Sequence, residues 1–354
     1  MVHSCFSPRG AHPEIFSPIE SFIAAFCQVS SRQSRGNLTI PRLWPRTRGV
    51  PNAQQAGFAC VQALVERQLP EGGWPFAGNA RQMAVEPTAL ALLALPSTLA
   101  LKRYAAIESL LDMQNPNGGW PAFSGDDEHG SGYTGLAVYA LGQCGESGMP
   151  TKRAVRWLLR SRGRESYWLW KWKFRTTDRR VRFDPNKFGW PWMPETVSWV
   201  FPTAYSLLAL KRAHAASHQR LLEFRILRGV EMLYDRICPG GGWNAGNGVV
   251  YGSPLTPHAD ATAVALLALL GESPNDSIIA SLDWLERRAE TLRAPWSLAW
   301  TVLALHAFGR STQSLIGRLC VVAEPAEIRD CATLSAVCLG LGCGSGPNAF
   351  GAEE

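Results

Sequence analysis

QLPEGGWPF at residues 68–76 recurs as QNPNGGWPAF at 114–123 and as CPGGGWNAG at 238–246, each copy lying between a charged amphipathic run and an alanine- and leucine-rich one. The second run is itself repeated. EPTALALLAL from Glu86, GYTGLAVYAL from Gly132, FPTAYSLLAL from Phe201 and DATAVALLAL from Asp260 align without gaps, and PWSLAWTVLALHAFG from Pro295 and DCATLSAVCLGLG from Asp330 are degenerate fifth and sixth copies. Self-similarity of this kind marks a repeat architecture. A run polar on one face, followed by one apolar nearly all round, reads as an outer helix and an inner helix. Outer partners lie before Leu69, from Leu101, from Thr151, and over 220–237, 276–290 and 312–322. Six such hairpins predict an all-α fold, an (α/α)6 barrel whose turns carry glycine–tryptophan, QW-like repeats.

Composition sets the bounds. A chain of 354 residues with 46% hydrophobic content can bury a large core, and nothing divides residues 51–345, which are expected to form one barrel. The formal charge is +6, of which six arginines against two glutamates in residues 1–50 supply +4, so nucleic acid is not an expected partner. Residues 1–50 read as a disordered basic tail and 346–354 as a C-terminal tail. FIAAFC at 22–27 is too short for a secretory core, and no apolar run approaches the about 18 residues of a transmembrane helix. Nine cysteines form no CxxC pair, and reduced thiols point to a cytoplasmic protein.

The glycines let the backbone reverse after each outer helix, and Trp74, Trp120 and Trp243 are expected to pack between neighbouring helices. Chemistry then falls to the inner-helix starts, which face the barrel mouth. Two residues before the shared threonine, the aligned copies place Glu86, Gly132, Phe201 and Asp260 on one ring. Asp260 suits an N-cap, whereas Glu86 before Pro87 does not; both are candidate catalytic groups, with His258 as a partner. SGDDEHGSG around Asp126 and Asp127 offers carboxylates to a metal, although a solvated acidic loop explains the same residues and no resident metal or cofactor is expected. Magnesium would enter only with a diphosphate substrate.

Residues 164–201 form an aromatic and basic insertion that lengthens the third hairpin. WLWKWKFR within it alternates as a strand does and predicts a short β-hairpin across the mouth. Trp190, Trp192, Trp199 and Phe201, with Tyr133, Tyr205 and Trp296 from other copies, are candidate substrate-binding residues. Lys171, Lys173 and Arg175 are candidate anion-binding residues. The exposed aromatics would also permit docking on a membrane surface, but the sequence shows no amphipathic helix there to establish it.

These turns and helix starts resemble the terpenoid-cyclase and protein-prenyltransferase superfamily over residues 52 to about 345. The best QW-like copies are Gln68–Gly73–Trp74 and Gln114–Gly119–Trp120. GWPWMPETVSWVFPTAYSLLAL makes the chain similar, more narrowly, to short bacterial prenyltransferase and squalene-oxidase repeat proteins. The resemblance implies an aromatic cavity for an isoprenoid and acid-initiated cyclisation or isomerisation of a polyprenyl substrate, with Asp260 matching the central aspartate of the Asp-x-Asp-Asp motif. Both flanking aspartates are missing, and the chain has length for one barrel where triterpene cyclases combine two. The zinc site of protein prenyltransferases has no counterpart, since Ala204 and Ala261 stand at its positions. A non-catalytic barrel binding a polyprenyl chain, another hydrophobic ligand or a protein is the alternative, and carbohydrate processing is a further known use of such barrels.

Overall fold

The computed structural model describes residues 52–126, 128–176, 183–346 and 348–351. The tail assigned to residues 1–50 lies outside them. Within the unit Gly49–Glu354, the outer helices are α1 (Ala53–Glu66), α3 (Ala100–Asp112), α5 (Met149–Arg160), α8 (Arg220–Asp235), α10 (Asp276–Ala289) and α12 (Gln313–Val322). The inner helices are α2 (Val85–Ala94), α4 (Thr134–Gln143), α7 (Val200–Ser217), α9 (Ala259–Ala268), α11 (Pro295–Ala307) and α13 (Cys331–Gly342). Each inner helix packs on the next and α13 returns to α2, so the ring closes. The six-hairpin (α/α)6 barrel expected from the repeats is the fold.

The two helix classes differ because their burial differs. In α2 every residue from Val85 to Leu92 is buried, glutamate included, and in α9 every residue from Ala261 to Ala268 is. Small alanines let these helices approach closely on all sides. Outer helices bury one stripe, as in α10, where Ile278, Ser281, Leu282, Leu285 and Ala289 face inward. Two of their starts are capped by side chains: Asn52 accepts from Gln55 N at 2.8 Å, and Asn275 from Ile278 N at 3.0 Å.

The glycine–tryptophan turn is a clamp made twice over. The main-chain N–H of Trp74, Trp120 and Trp243 donates to the hydroxyl of Thr88, Thr134 and Thr262, each at 2.9 Å on the following inner helix. The three indoles meanwhile donate to Leu64, Leu110 and Leu233 carbonyls near the end of the preceding outer helix, at 2.6–2.7 Å. One residue thereby ties both helices of a hairpin together. The glutamines of the first two motifs reach the next hairpin, Gln68 donating to Lys102 O and Gln114 to Pro150 O, both at 2.9 Å. A fourth clamp, without a long glycine run, occurs at Gly189–Trp190, where Thr203 accepts the main-chain N–H at 3.0 Å and Leu158 O the indole at 2.8 Å.

Two local expectations are corrected. WLWKWKFR is helical, as α6 (Trp168–Thr176), not a β-hairpin. The alternation is absorbed because Trp170 turns away from Trp168 and Trp172 and is held under Arg164 at 3.9 Å and Lys173 at 4.7 Å. Asn348 to Gly351, assigned to a tail, are packed. Phe350 is fully buried, stacked on Tyr139 at 5.4 Å and tilted against Trp300 at 5.3 Å. Tyr139 lies in the second hairpin and Trp300 in the fifth, on opposite sides of the ring, so the segment fills the axis beneath the mouth.

Candidate active site

The second residues of α2, α7, α9 and α11 are Glu86, Phe201, Asp260 and Trp296, one per hairpin at the same depth. Helix starts point backbone N–H groups and the positive end of the dipole toward this ring. Glu86 is buried, and its Oε1 receives the Tyr205 hydroxyl at 3.4 Å. Tyr133 also hydrogen-bonds it. Burial, reinforced by the nearby Asp330 carboxylate, pushes the Glu86 carboxyl up to about 7, while the bonds from Tyr133 and Tyr205 pull it the other way. Burial and the Glu86 charge raise both phenols well above the usual range, so they retain their protons and act as donors.

Asp260 is half-buried and lies in the first turn of α9, not at its N-cap, which is His258. Its Oδ2 accepts the Trp296 indole N–H at 3.1 Å and its Oδ1 the Ala261 N–H at 3.0 Å. The negative charge of Asp260 reaches Tyr205, which links it electrostatically to the Glu86 cluster. Asp330 is the N-cap of α13, accepting from Thr333 N at 2.6 Å. Three carboxylates and two phenols therefore converge on the mouth, beside an aromatic wall. In that wall Trp192 contacts Tyr133 at 4.9 Å and Phe201 at 6.4 Å, and Phe201 meets Tyr205 edge-on at 6.0 Å.

The other candidates are distributed differently. Trp190 is not a wall residue: it is 1% exposed and serves as the fourth clamp. Trp199 and His258 line a side groove of about 420 Å³, together with Asn244, Asn247, Val250 and Leu255. A two-residue hairpin pairing Val249–Val250 with Ser253–Pro254 forms part of its edge. His258 thus faces the groove, while Asp260 takes Trp296 as its partner. Lys171 and Lys173 belong to α6, where Lys171 approaches the Phe188 ring at 5.8 Å and Lys173 covers Trp170. The side chain of Arg175 lies outside the described residues, as does Asp127. Asp126 is exposed and accepts from Ala122 N at 3.2 Å. Among the described residues no three His, Cys, Asp or Glu side chains gather as metal ligands, and no helix is long and apolar enough to cross a membrane.

No family model matches the sequence, and no curated protein matches it. Solved structures do match the fold. An α-amylase from Clostridium perfringens superposes with a TM-score of 0.56 at 9% identity, over 85% of this chain and 99% of that one. A β-1,3-1,4-glucanase from Paenibacillus sp. X4 gives 0.54 at 12% identity, over 85% and 93%. An inactive variant of an α-1,6-mannanase from Salegentibacter sp. HEL1_6, in complex with α-1,6-mannotriose, gives 0.53 at 10% identity, over 82% and 98%. At such identities the likeness is one of fold.

The isoprenoid reading is overturned. The three barrels just described, on which this chain superposes, are carbohydrate enzymes rather than terpenoid cyclases. The features behind the cyclase resemblance also have another cause. The QW-like turns are internal clamps between the helices of a hairpin, and Trp190 is spent on one of them. The mouth sets three carboxylates and two phenols beside its aromatic wall rather than an apolar lining alone. The alternative of a polyprenyl-binding barrel falls by the same argument. Among the mouth residues, Asp330 went unrecognised in the sequence, although the sixth copy opens on aspartate as the fourth does.

Proposed function

We propose that the mouth binds a carbohydrate and cleaves a glycosidic bond, with Glu86 as the general acid. The observation that carries this reading is a buried carboxyl titrating at about 7, held by Tyr133 and Tyr205 and facing further carboxylates. Glycoside hydrolysis calls for one carboxylic acid that keeps its proton near neutrality and a second carboxylate that activates water or attacks the sugar. Asp260, braced by Trp296, is the candidate for the second role, and the charge of Asp330 helps hold the proton on Glu86. Tyr133, Trp192 and Phe201 offer flat apolar surfaces to the C–H face of a sugar ring, while the phenols and carboxylates suit its hydroxyls. The carbohydrate enzymes of like fold support the same substrate class.

The test is incubation of the purified chain with α-1,6-mannotriose, maltotriose and mixed-linkage β-glucan oligosaccharides, with products resolved by mass spectrometry. The expected result is chain shortening with uptake of one water, reduced about 10²–10⁴-fold in Glu86→Gln and strongly in Asp260→Asn, both still folded. Intact oligosaccharides, with no heat of binding by calorimetry, would reject the proposal.

A further inference from the structure

The side groove lined by Trp199 and His258 belongs to the longest of the four clamped turns. Clamp tryptophan and clamp threonine stand 14, 14 and 13 positions apart in the first three clamps and 19 apart in the fourth. The longer connection carries the hairpin of Val249–Val250 with Ser253–Pro254, turned tightly by Tyr251 and Gly252, both at positive φ. Four positions before the clamp threonine, the first two copies have Ala84 and Gly130, whereas the third and fourth have Trp199 and His258. The added hairpin and the two larger side chains meet at the same groove.

The space itself comes from a small residue. Inner-helix starts donate a main-chain N–H to the turn of the next copy: Val85 to Ala122 O, Gly132 to Trp192 O and Val200 to Ala245 O, at 2.8–2.9 Å. Beside α4 the residue so bonded is Trp192, whose indole packs on Tyr133. Beside α7 it is Ala245, and a groove of about 420 Å³ lies there, within the about 300–1,000 Å³ usual for small-molecule sites. Trp199 and His258 each precede a mouth residue, Phe201 and Asp260, by two positions, a span of at most about 7 Å. The groove therefore adjoins the mouth between the third and fourth hairpins.

Its lining differs from that of the mouth. Among the described residues no Asp, Glu, Lys or Arg lines it, which suits an uncharged ligand. The Trp199 indole is half-buried against the turn, where a Cβ at Gly246 would stand 3.3 Å from the ring. Asn244 is spent inside that turn, donating to Asn247 O and accepting from Gly246 N, both at 2.8 Å. The side chains of Asn247, Thr256 and His258 form no hydrogen bond with the described residues, so their polar groups remain for a ligand. An indole face with an amide, a hydroxyl and an imidazole around it matches the C–H face and the hydroxyls of a neutral sugar.

We propose that this groove is a second sugar-binding subsite, taking the uncharged arm of an oligosaccharide whose scissile bond lies at the mouth, with Trp199 as the platform and Asn247, Thr256 and His258 as hydrogen-bond partners. The inference rests on the carbohydrate reading of the mouth and extends it from a short sugar to a chain that runs past the reacting bond.

The experiment is calorimetry of the full chain carrying Glu86→Gln, which keeps the sugars intact, with trisaccharides and hexasaccharides of α-1,6-linked mannose, of maltose type and of mixed-linkage β-glucan. One hexasaccharide is expected to bind at least about tenfold tighter than its trisaccharide. Adding Trp199→Ala should bring that ratio toward one, and so should Ala245→Trp, which fills the groove instead of removing its platform. His258→Ala should lower the ratio about two- to tenfold. A ratio near one in every series, or a ratio kept in both the Trp199 and Ala245 variants, would overturn the subsite. Hydrolysis by the parent alongside a ratio near one would leave the mouth reading standing and reject the groove. A Trp199-dependent gain for a hexasaccharide that the parent never cleaves would support the groove and reject the catalytic reading.

Discussion

Tyr205 in the third hairpin donates its hydroxyl hydrogen to Glu86 in the first, at 3.4 Å across the mouth. The two residues are not ring neighbours, for α4 lies between α2 and α7. Tyr205 therefore reaches Glu86 past an intervening hairpin, and Tyr133 from that hairpin joins it. Enclosure at this place, with Asp330 nearby, makes the carboxyl keep its proton more firmly than one in water against the opposing pull of the two phenols, which is what a general acid requires.

The same enclosure sets a pH dependence of stability. Glu86 titrates near 4.5 in an unfolded chain and at about 7 in the fold, so between these values the fold holds a proton that the unfolded chain has released. The stabilisation is complete below 4.5 and lost as pH rises through 7, about 3 kcal/mol in all. Glu86→Gln should abolish that slope and be more stable than the parent at pH 8. Urea midpoints across this range check it, and parallel slopes in parent and variant would show that Glu86 is solvated.

Thr262→Val tests the clamp. Valine matches threonine in shape but cannot accept the Trp243 N–H that Thr262 takes at 2.9 Å, and Trp243 is fully buried. An orphaned buried donor costs about 1–3 kcal/mol, read as a lower urea midpoint with an unchanged slope. Thr88, Thr134 and Thr203 make the equivalent bond, and the same substitution at each should fall in the same range.

What was legible in the sequence follows from what the repeats encode. An inner helix must be apolar all round and a hairpin must turn on glycine, so hairpin number and barrel closure could be read directly. Quasi-symmetry likewise placed Glu86 and Asp260 on one ring. Trp190 was misassigned because an insertion separates its turn from α5 and it lacks a glycine run, although GWP at 189–191 repeats 73–75 and 119–121. Asp330 was missed because Thr333 follows it by three positions, against two from Asp260 to Thr262, which shifts the sixth copy out of register. The ligand was misread because the clamps serve the packing of the hairpin whatever the barrel binds.

Glycine at Gly118 is required by contact as well as by φ. Its φ is +97°, and a Cβ there would stand 2.6 Å from the Arg153 carbonyl oxygen on α5. Gly145, at φ +84°, has open space around it. Gly145→Ala should cost only the left-handed strain, about 1–2 kcal/mol. Gly118→Ala must also displace α5, adding about 1–3 kcal/mol of overpacking. Thermal midpoints of the two variants should therefore separate clearly; equal midpoints would mean that the turn yields without moving the helix.

Phe350 closes the axis from the end opposite the mouth. The segment carrying it is fixed by two bonds to facing sides of the ring: the Tyr139 hydroxyl donates to Ala349 O and the Asn348 amide to Leu303 O, both at 2.7 Å. Phe350→Ala would leave a void between Tyr139 and Trp300, and buried phenylalanine-to-alanine changes cost about 3–5 kcal/mol. Glu86 belongs to a separate cluster at the helix starts, so its titration near 7 should survive the change. The expected variant is thus strongly destabilised to urea, with its pH slope between 4.5 and 7 preserved. Loss of both together would mean that the plug sets the spacing of the mouth, and unchanged stability would mean that the segment only rests against the barrel.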